Sequence, residues 1–217
     1  MKLLKQIGFL LFTASLLIAC GEEEEYTYPD LVTEIACLKT DTEGKGTELL
    51  TDQGKTWKIP VKQQPAELAP DSIYRVLCRY APSASKQQEA DIYLLQSTVS
   101  PLPQPEADYE NIHTDPVSIQ SIWRSGEYLN MILKVMVKEG EHVLSFIENG
   151  IFTEEDGTQT LSLTLYHDRK EDTEAFYRKS YLSVPLWKYK DILHSGDHIE
   201  FHLNTYEEGM TSRTFTF

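Results

Sequence analysis

The sequence predicts an all-β protein, in which a small OB-type barrel is followed by an antiparallel β-sandwich. Tyrosine is abundant, with 12 residues in a chain of 217, and such a composition favours strands over helices. Many short segments alternate apolar and polar side chains with a period of two, the pattern of a half-buried strand. Turn signals of the Asp-x-Gly type separate neighbouring segments.

The first group of strand-like segments predicts a domain at residues 30–100. Its five segments are 31–39, 47–51, 55–61, 72–80 and 90–99. The Asp52-Gln53-Gly54 turn joins two of them and is a hairpin signal. Five strands in so few residues suit a small closed barrel of the OB type.

The second group predicts a sandwich domain at residues 117–217. Its segments are 131–140, 141–149, 158–168, 176–184, 198–206 and 212–217, and this density of short strands is typical of a sandwich. Residues 185–193 are ambiguous between strand and helix. Between the two groups lie residues 101–116, which contain four prolines and predict a stiff linker.

The N-terminus resembles a bacterial lipoprotein signal. Lys2 and Lys5 precede an apolar run at residues 7–18, which is too short to span a membrane. Leu17-Ile18-Ala19-Cys20 then matches the box after which such a peptide is cut. Residues 1–19 are therefore predicted to be a signal peptide, and Cys20 to become the lipidated first residue. Two or more acyl chains would hold the mature chain stably on a membrane.

Four acids follow the predicted lipidation site at once: Glu22, Glu23, Glu24 and Glu25. They resemble the export signal of surface lipoproteins in the Bacteroidetes, an address read by a receptor. The alternative is a solvated tether spanning residues 20–29. The predicted location is the outer membrane, with the cell surface favoured over its inner face.

Charge argues against one class of partner. The mature chain would carry 34 acids against 18 bases, a net charge of −16. Phosphate contacts supply most non-specific affinity for nucleic acids, so no nucleic-acid partner is expected. Alternation places Cys37 and Cys78 on inward faces of their strands. Two buried thiols and one disulfide are equally compatible with this pattern.

One polar stripe could bind a metal. His198, Glu200 and His202 share a face if their segment is a strand, but the two imidazoles would lie too far apart to chelate one ion alone. Zinc would need a further ligand from a partner strand. A solvent-facing stripe is the favoured interpretation, and neither a metal nor a cofactor is predicted.

Two pairs have the spacing of catalytic groups. Ser83 and Lys86 could be a nucleophile and its base, and His167 with Asp168 a base and the group that orients it. Neither pair has the companion motifs that such chemistry needs, so no catalytic residue is predicted. The aromatic residues Trp57, Trp123, Trp187 and Tyr189 could pack at a junction or bind a ligand, and Trp123 is expected to wedge the two domains together.

The mature chain resembles the NigD-like lipoproteins of Bacteroidales. The matching stretches are residues 46–60, 115–133, 161–168 and 181–186, with Trp123, Gly126, Tyr128, Asn130 and His167 among the residues that prompt the match. The resemblance implies an OB-type domain and a β-sandwich behind a lipobox. It implies no catalytic or ligand-binding residues.

Together these observations predict a non-enzymatic binding or accessory lipoprotein of the cell envelope. The resemblance adds an immunity role against a bacteriocin. Two alternatives remain, a surface glycan-binding module and a hydrolase with an interdomain site. The partner is therefore expected to be a protein or a glycan, in addition to the membrane that holds the lipid anchor. The sequence does not identify the binding residues.

Overall fold

A computed structural model describes residues 29–217, and Leu31–Phe217 form one compact unit. The predicted signal peptide, Cys20 and the four glutamates lie outside the described residues. Within these limits, no helix has the length and apolar character needed to cross a bilayer. The regular structure of the described part consists of thirteen strands and three short 3-10 turns, at Val61–Gln63, Glu106–Asp108 and Trp187–Tyr189.

The first five strands form a curled antiparallel sheet in the order β3-β2-β1-β4-β5. Their bounds are β1 Val32–Thr40, β2 Gly46–Leu50, β3 Thr56–Lys58, β4 Ile73–Pro82 and β5 Ala90–Ser97. The sheet curls so that β3 approaches the start of β5. At that point the backbone N–H of Lys58 donates to the carbonyl of Gln88 at 2.7 Å. We call this sheet the half-barrel.

Alternation along β1 and β4 separates two buried faces of the half-barrel. Ala36 and Cys78 belong to its inner core, together with Trp57. Cys37 and Arg75 are paired across the strands, and their side chains lie on the opposite, outer face. That outer face is also buried, because the rest of the protein packs against it.

The remaining strands form a sandwich of two sheets, with the orders β13-β12-β10-β9-β6 and β11-β8-β7. Their bounds are β6 Gln104–Pro105, β7 Ser118–Ser125, β8 Tyr128–Val137, β9 Val143–Thr153, β10 Gln159–Asp168, β11 Phe176–Pro185, β12 His198–Thr205 and β13 Gly209–Thr216. Inward-facing residues such as Leu133, Leu163 and Phe201 are fully buried in the shared core. The predicted all-β class, a small barrel-like sheet followed by a sandwich, is confirmed.

Two strand pairs in the larger sheet are parallel, a detail that alternation did not predict. β10 pairs with β12 in parallel because the chain crosses to the other sheet as β11 between them. β6 pairs in parallel with β9 at the sheet edge. A two-residue alternation of apolar and polar side chains predicts the face on which a residue lies. It does not predict the direction of the strand.

The proline-rich segment 101–116 lies along the sandwich. Pro105 ends the short edge strand β6, a position where a missing N–H is tolerated. The hydroxyl of Tyr109 donates to the carbonyl of Phe146 at 3.2 Å, and Thr114 forms a bridge with His167. The predicted domain boundaries stay predictions, since the half-barrel, this segment and the sandwich belong to one compact unit.

The half-barrel meets the sandwich where two tight turns touch. Gly126, in the turn between β7 and β8, has a φ of +54°, which favours glycine. A Cβ atom built there would lie 2.7 Å from the carbonyl oxygen of Asp52, in the turn between β2 and β3. The absence of a side chain at Gly126 therefore allows the two layers to approach.

We expect Gly126→Ala to destabilise the fold more than Gly157→Ala does. Both residues have positive φ, which costs an alanine roughly 1–2 kcal/mol, but nothing lies within 4 Å of the Cβ position at Gly157. Only Gly126→Ala adds a clash with backbone. Chemical denaturation of both variants measures the difference, and equal losses of unfolding free energy would contradict the close contact.

Candidate functional site

A buried ion pair lies at the junction of the half-barrel and the sandwich. Arg75 on β4 is only 6% exposed. Its Nη1 lies 2.7 Å from Asp52 Oδ1, and its Nη2 donates to Asp52 Oδ2 at 2.8 Å. The side chains of both partners are at most 5% exposed. This is the two-pronged geometry in which a guanidinium binds a carboxylate most strongly.

The sandwich supplies the other partners of Arg75. Its Nε donates to the hydroxyl of Ser183 at 2.9 Å, and its Nη2 donates to Asn130 Oδ1 at 3.0 Å. The guanidinium carbon lies 3.7 Å from the centre of the Tyr128 ring, a cation–π distance. Burial alone would lower the pKa of Arg75, but the hydrogen bond and charge of Asp52 outweigh it and hold the pKa above its ordinary value. The cation therefore links both layers.

Two further polar groups complete this cluster. The thiol of Cys37 lies 3.5 Å from Arg75 Nη1 and 3.4 Å from the hydroxyl of Tyr128. Asn130 donates from Nδ2 to Asp52 Oδ2 at 3.1 Å, so it bonds both members of the ion pair. Burial raises the pKa of Tyr128, and the contact with Cys37 adds to the shift. The phenol is therefore neutral at physiological pH.

A groove opens to solvent beside the cluster. It has a volume of about 420 Å³, and its lining is mainly apolar, with Cys37, Leu50, Tyr128 and Trp187 among the residues. A smaller recess of about 220 Å³ shares Ile73, Tyr128 and Trp187 with it. Trp187 is 41% exposed and Ile73 is 64% exposed. We call the two together the junction groove.

A pinned 3-10 turn presents Trp187 to this groove. The next two residues anchor the turn, since Lys188 Nζ lies 2.6 Å from Glu148 Oε2 and the Tyr189 hydroxyl donates to the same oxygen at 2.7 Å. Tyr189 is buried in the sandwich core. The backbone N–H of Leu186 also donates to the carbonyl of Glu127, at 2.8 Å. With its neighbours fixed, Trp187 has to point outward.

The other aromatic candidates have packing positions. Trp57 lies in the half-barrel core, where its indole N–H donates to the hydroxyl of Tyr80 at 3.1 Å. Trp123 is partly buried on β7, paired in register with Asn130. The wedge role of Trp123 stays a prediction, while Gly126 makes the close contact described above. Of the four aromatic candidates, Trp187 is the one that lines the groove.

The structure gives Arg75 a role that sequence reasoning missed. Arg75 and Cys78 lie on opposite faces of β4, as alternation along a strand requires, and the sandwich covers the face that carries Arg75. Its partners are 23, 55 and 108 residues away in the sequence. A strand pattern cannot reveal such long-range pairing. The one local signal was a charged residue between two strand-forming apolar ones.

The predicted polar stripe has the expected alternation. His198, Glu200 and His202 all lie on β12, and His202 Nε2 is 3.3 Å from Glu200 Oε2. Within residues 29–217, the His and Asp groups close enough to share an ion are instead His113, Asp115 and Asp168.

The two carboxylates of this group are already engaged with cationic and backbone donors. Arg169 Nε lies 3.3 Å from Asp115 Oδ1, and the backbone N–H of Lys170 donates to Asp168 Oδ1 at 2.6 Å. Because the guanidinium of Arg169 already balances the charge of Asp115, we interpret the group as an ion-pair cluster.

The two pairs with catalytic spacing are not arranged for catalysis. Lys86 Nζ lies 3.0 Å from Glu89. The Ser83 hydroxyl accepts the backbone N–H of Lys86 at 3.2 Å and lies 3.4 Å from the hydroxyl of Ser85. His167 is fully buried, and its ring contacts His142 and the carbonyl of Asp115 rather than the carboxylate of its neighbour Asp168.

The two cysteines are free and buried, on opposite faces of the half-barrel sheet. The predicted inward face is correct for Cys78 and wrong for Cys37, which is buried because the sandwich covers the outer face. Cys78 donates to the carbonyl of Glu34 at 3.3 Å, within the inner core, while Cys37 faces the sandwich. Burial raises the pKa of the Cys78 thiol to about 12, and the charge of Glu34 adds to the shift. Glu34 itself turns inward and accepts the Tyr80 hydroxyl at 2.6 Å.

Comparison with known proteins decides the family. The family model of the NigD-like C-terminal beta sandwich domain matches residues 100–217. A solved NigD-like immunity protein from Bacteroides caccae is 33% identical, with a TM-score of 0.68 over 88% of this chain and 94% of that one. The chain belongs to the NigD-like family.

Two more distant structures share the fold of this NigD-like chain. A toxin-related protein from Parabacteroides distasonis is 16% identical, with a TM-score of 0.64 over 87% of this chain and 93% of that one. A candidate lipoprotein from Bacteroides fragilis is 14% identical, with a TM-score of 0.54 over 87% of this chain and 97% of that one. No curated protein matches the chain.

We expect Arg75→Ala to destabilise this NigD-like protein strongly, by about 3–5 kcal/mol. Removing one partner leaves the Asp52 carboxylate buried without its counter-charge, which costs more than the pair contributes. Lys45→Ala is the matched control, because its ion pair with Glu43 is exposed and its loss should change stability little. Urea denaturation measures both, and a small effect of Arg75→Ala would contradict the role assigned to the buried pair.

Proposed function

We propose that this NigD-like chain is a lipid-anchored protein of the outer membrane that binds a protein partner without catalysis, in an immunity-like role. The partner contacts the junction groove, and the mature chain is anchored through Cys20. Glu22–Glu25 would direct it to the cell surface.

The relatives support a non-enzymatic role. The protein from Bacteroides caccae is described as a NigD-like immunity protein, and it is similar to this chain over most of the length of both. In our proposal an immunity-like role rests on binding, which requires a recognition surface and no reacting groups. The candidate lipoprotein from Bacteroides fragilis has the same fold, which is compatible with an anchored member of this structural group.

The exposed apolar side chains of the junction groove carry the proposal. Trp187 and Ile73 remain 41% and 64% exposed beside a concave, mainly apolar surface. Trp is among the residue types that contribute most to protein interfaces. The walls come from two layers joined by the Arg75 cluster, so little conformational freedom would be lost on binding. An apolar lining favours a protein over a glycan, because sugar hydroxyls need several converging polar groups.

The polar groups near the groove do not favour a hydrolase. Such an enzyme would need a carboxylate free to transfer a proton, beside a second acid. The Asp52 carboxylate is instead engaged by Arg75 and Asn130.

We expect Trp187→Ala to abolish partner capture. A crosslinked pulldown from intact cells, with the full-length chain carrying a C-terminal tag and read by quantitative mass spectrometry, measures capture. Phe152→Ala is the matched control, since Phe152 is another exposed aromatic residue at 56%, on β9 and outside the groove. The control should retain the partner. Equal recovery of the partner by both variants would exclude the groove as the binding site. The survival of a deletion strain challenged with bacteriocin tests the immunity role separately.

We expect Cys20→Ala to abolish the incorporation of labelled palmitate into the protein, because the acyl chains would be attached to that residue. Labelling of the variant at the level of the parent would contradict the anchor.

Replacing Glu22–Glu25 with alanines should keep the lipid anchor but reduce protease access on intact cells. Protease shaving measures this access, and unchanged digestion would contradict the export role of the four glutamates.

A further inference from the structure

The outermost strand of the larger sheet, β13, has one backbone edge without a partner strand. Its register with β12 is unbroken from Gly209 to Thr216, and the backbone N–H of Phe217 continues the same register by donating to the carbonyl of Asp197 at 2.7 Å. Hydrogen-bonded and non-hydrogen-bonded pairs alternate along an antiparallel ladder. Counted back from Phe217, this alternation turns the backbone N–H and C=O groups of four residues away from β12: Met210, Ser212, Thr214 and Thr216.

The sequence of β13 does little to block this edge. Edge strands of natural proteins usually carry prolines, several charges or bulges that keep other strands away. β13 has no proline and no bulge, and its one charged residue is Arg213. The guanidinium of Arg213 folds back, since Nη1 donates to the carbonyl of Ser212 at 2.9 Å and Nη2 lies 3.0 Å from Glu208 Oε2. The edge is therefore open to another extended backbone.

A gap opens beside this edge, between β13 and the strand β7 of the facing sheet. It has a volume of about 210 Å³, and its lining residues are Ile119, Ile122, Arg213, Thr214 and Phe215. The two isoleucines and Phe215 are only partly buried against the sandwich core. Three apolar side chains of the core thus remain accessible from the side of the sandwich.

Arg124 lies on the same face of β7 as these isoleucines. The residues of β8 that pair with Ile119, Ile122 and Arg124 are all fully buried in the sandwich core: Leu133, Met131 and Leu129. The guanidinium carbon of Arg124 is 5.6 Å from the centre of the Phe217 ring, directly after β13. Within residues 29–217 it forms no ion pair, although the chain has a net charge of −14. We call the β13 edge, the gap and Arg124 the seam.

The features of the seam select one kind of occupant. Unpaired backbone groups on an edge strand bind an extended segment, which adds a strand to the sheet. Such a segment turns every second side chain toward the gap, so apolar residues are required at alternate positions. The unpaired guanidinium of Arg124 attracts a carboxylate.

We propose that the seam is a docking site for an extended segment of a partner protein. The segment pairs with β13, places alternate apolar side chains against Ile119 and Ile122, and holds an acidic side chain beside Arg124. The seam shares no lining residue with the junction groove, so this second surface goes beyond the function proposed above.

A second copy of this chain fits the seam less well. Its own edge strand would supply apolar side chains, but residues 209–217 contain no acid. Two copies paired through β13 would therefore bring a second Arg213 to the seam and leave Arg124 without a carboxylate. The charge of the seam favours a segment of a different protein.

A synthetic peptide of sequence Thr-Glu-Thr-Val-Thr-Val-Thr is the probe. Aligned antiparallel to β13, it places its glutamate beside Phe217 and Arg124, and its valines opposite Phe215 and Arg213. Fluorescence anisotropy of the labelled peptide with the detergent-solubilised full-length chain measures affinity. Hydrogen–deuterium exchange of the same chain reports whether the amides of residues 209–217 become protected. We expect saturable binding and protection of this segment.

A proline on the edge separates strand addition from other modes of binding. Thr214→Pro removes an N–H that faces away from β12 and places a ring in the path of the added strand, while the bonds to β12 remain. We expect the peptide to bind at least about tenfold more weakly. Thr214→Ala is the matched control, because it shortens the same side chain but keeps the N–H, and it should bind as the parent does.

A charge exchange provides a second variant that leaves the β13 backbone unchanged. Arg124→Glu should weaken binding of the glutamate peptide by about two- to fivefold, the range of an exposed ion pair. It should strengthen binding of a peptide with lysine in place of glutamate by a similar factor. Trp187→Ala, in the junction groove, should change neither affinity.

Three results would overturn the proposal. They are failure of the peptide to bind the parent chain, equal binding by the parent and the Thr214→Pro variant, and protection of residues 209–217 that rises with the concentration of the chain alone. The last result would assign the edge to a second copy. Loss of partner capture in the Trp187→Ala variant tests the junction groove and is independent of all three.

Discussion

The buried guanidinium of Arg75 is the constraint on which the arrangement of the two layers depends. Moving a charged side chain out of water costs several kcal/mol, and the cost is offset only when nearly every donor finds a partner. The half-barrel supplies the counter-charge of Asp52, and the sandwich supplies the neutral acceptors Asn130 and Ser183 and the face of Tyr128. Neither layer alone satisfies the cation. A displacement of one layer would leave donors unpaired, so the cluster fixes one orientation.

This constraint also explains why a groove remains at the junction. The layers touch at the cluster and at the contact of Gly126 with Asp52, and both contacts are set by directional bonds or by backbone shape. Beside them the two layers leave the junction groove, whose lining comes from both layers. Ile73 and Trp187 lie where the surfaces separate. Their exposure follows from the geometry of the junction, and the pinned turn after Leu186 maintains it.

Alternation of apolar and polar residues predicted most strands and the face on which each residue lies. This pattern depends only on positions that are neighbours in the sequence. Cys78 and His202 lie on the faces that period two gave them. Strand direction in β10 and β12, the inward turn of Glu34 and the burial of Arg75 depend on which element covers a face. A second layer across a sheet has no local signature. For the same reason the sequence drew attention to His167 but not to its contact with His142, 25 residues away.

The distant structural relatives bear on whether the junction is a feature of the fold. The alignments with proteins only 14–16% identical cover 87% of this chain, which extends well beyond the sandwich match at residues 100–217. They therefore include residues from the half-barrel as well as from the sandwich. A partner surface built from both layers can then vary in its side chains while its backbone shape persists.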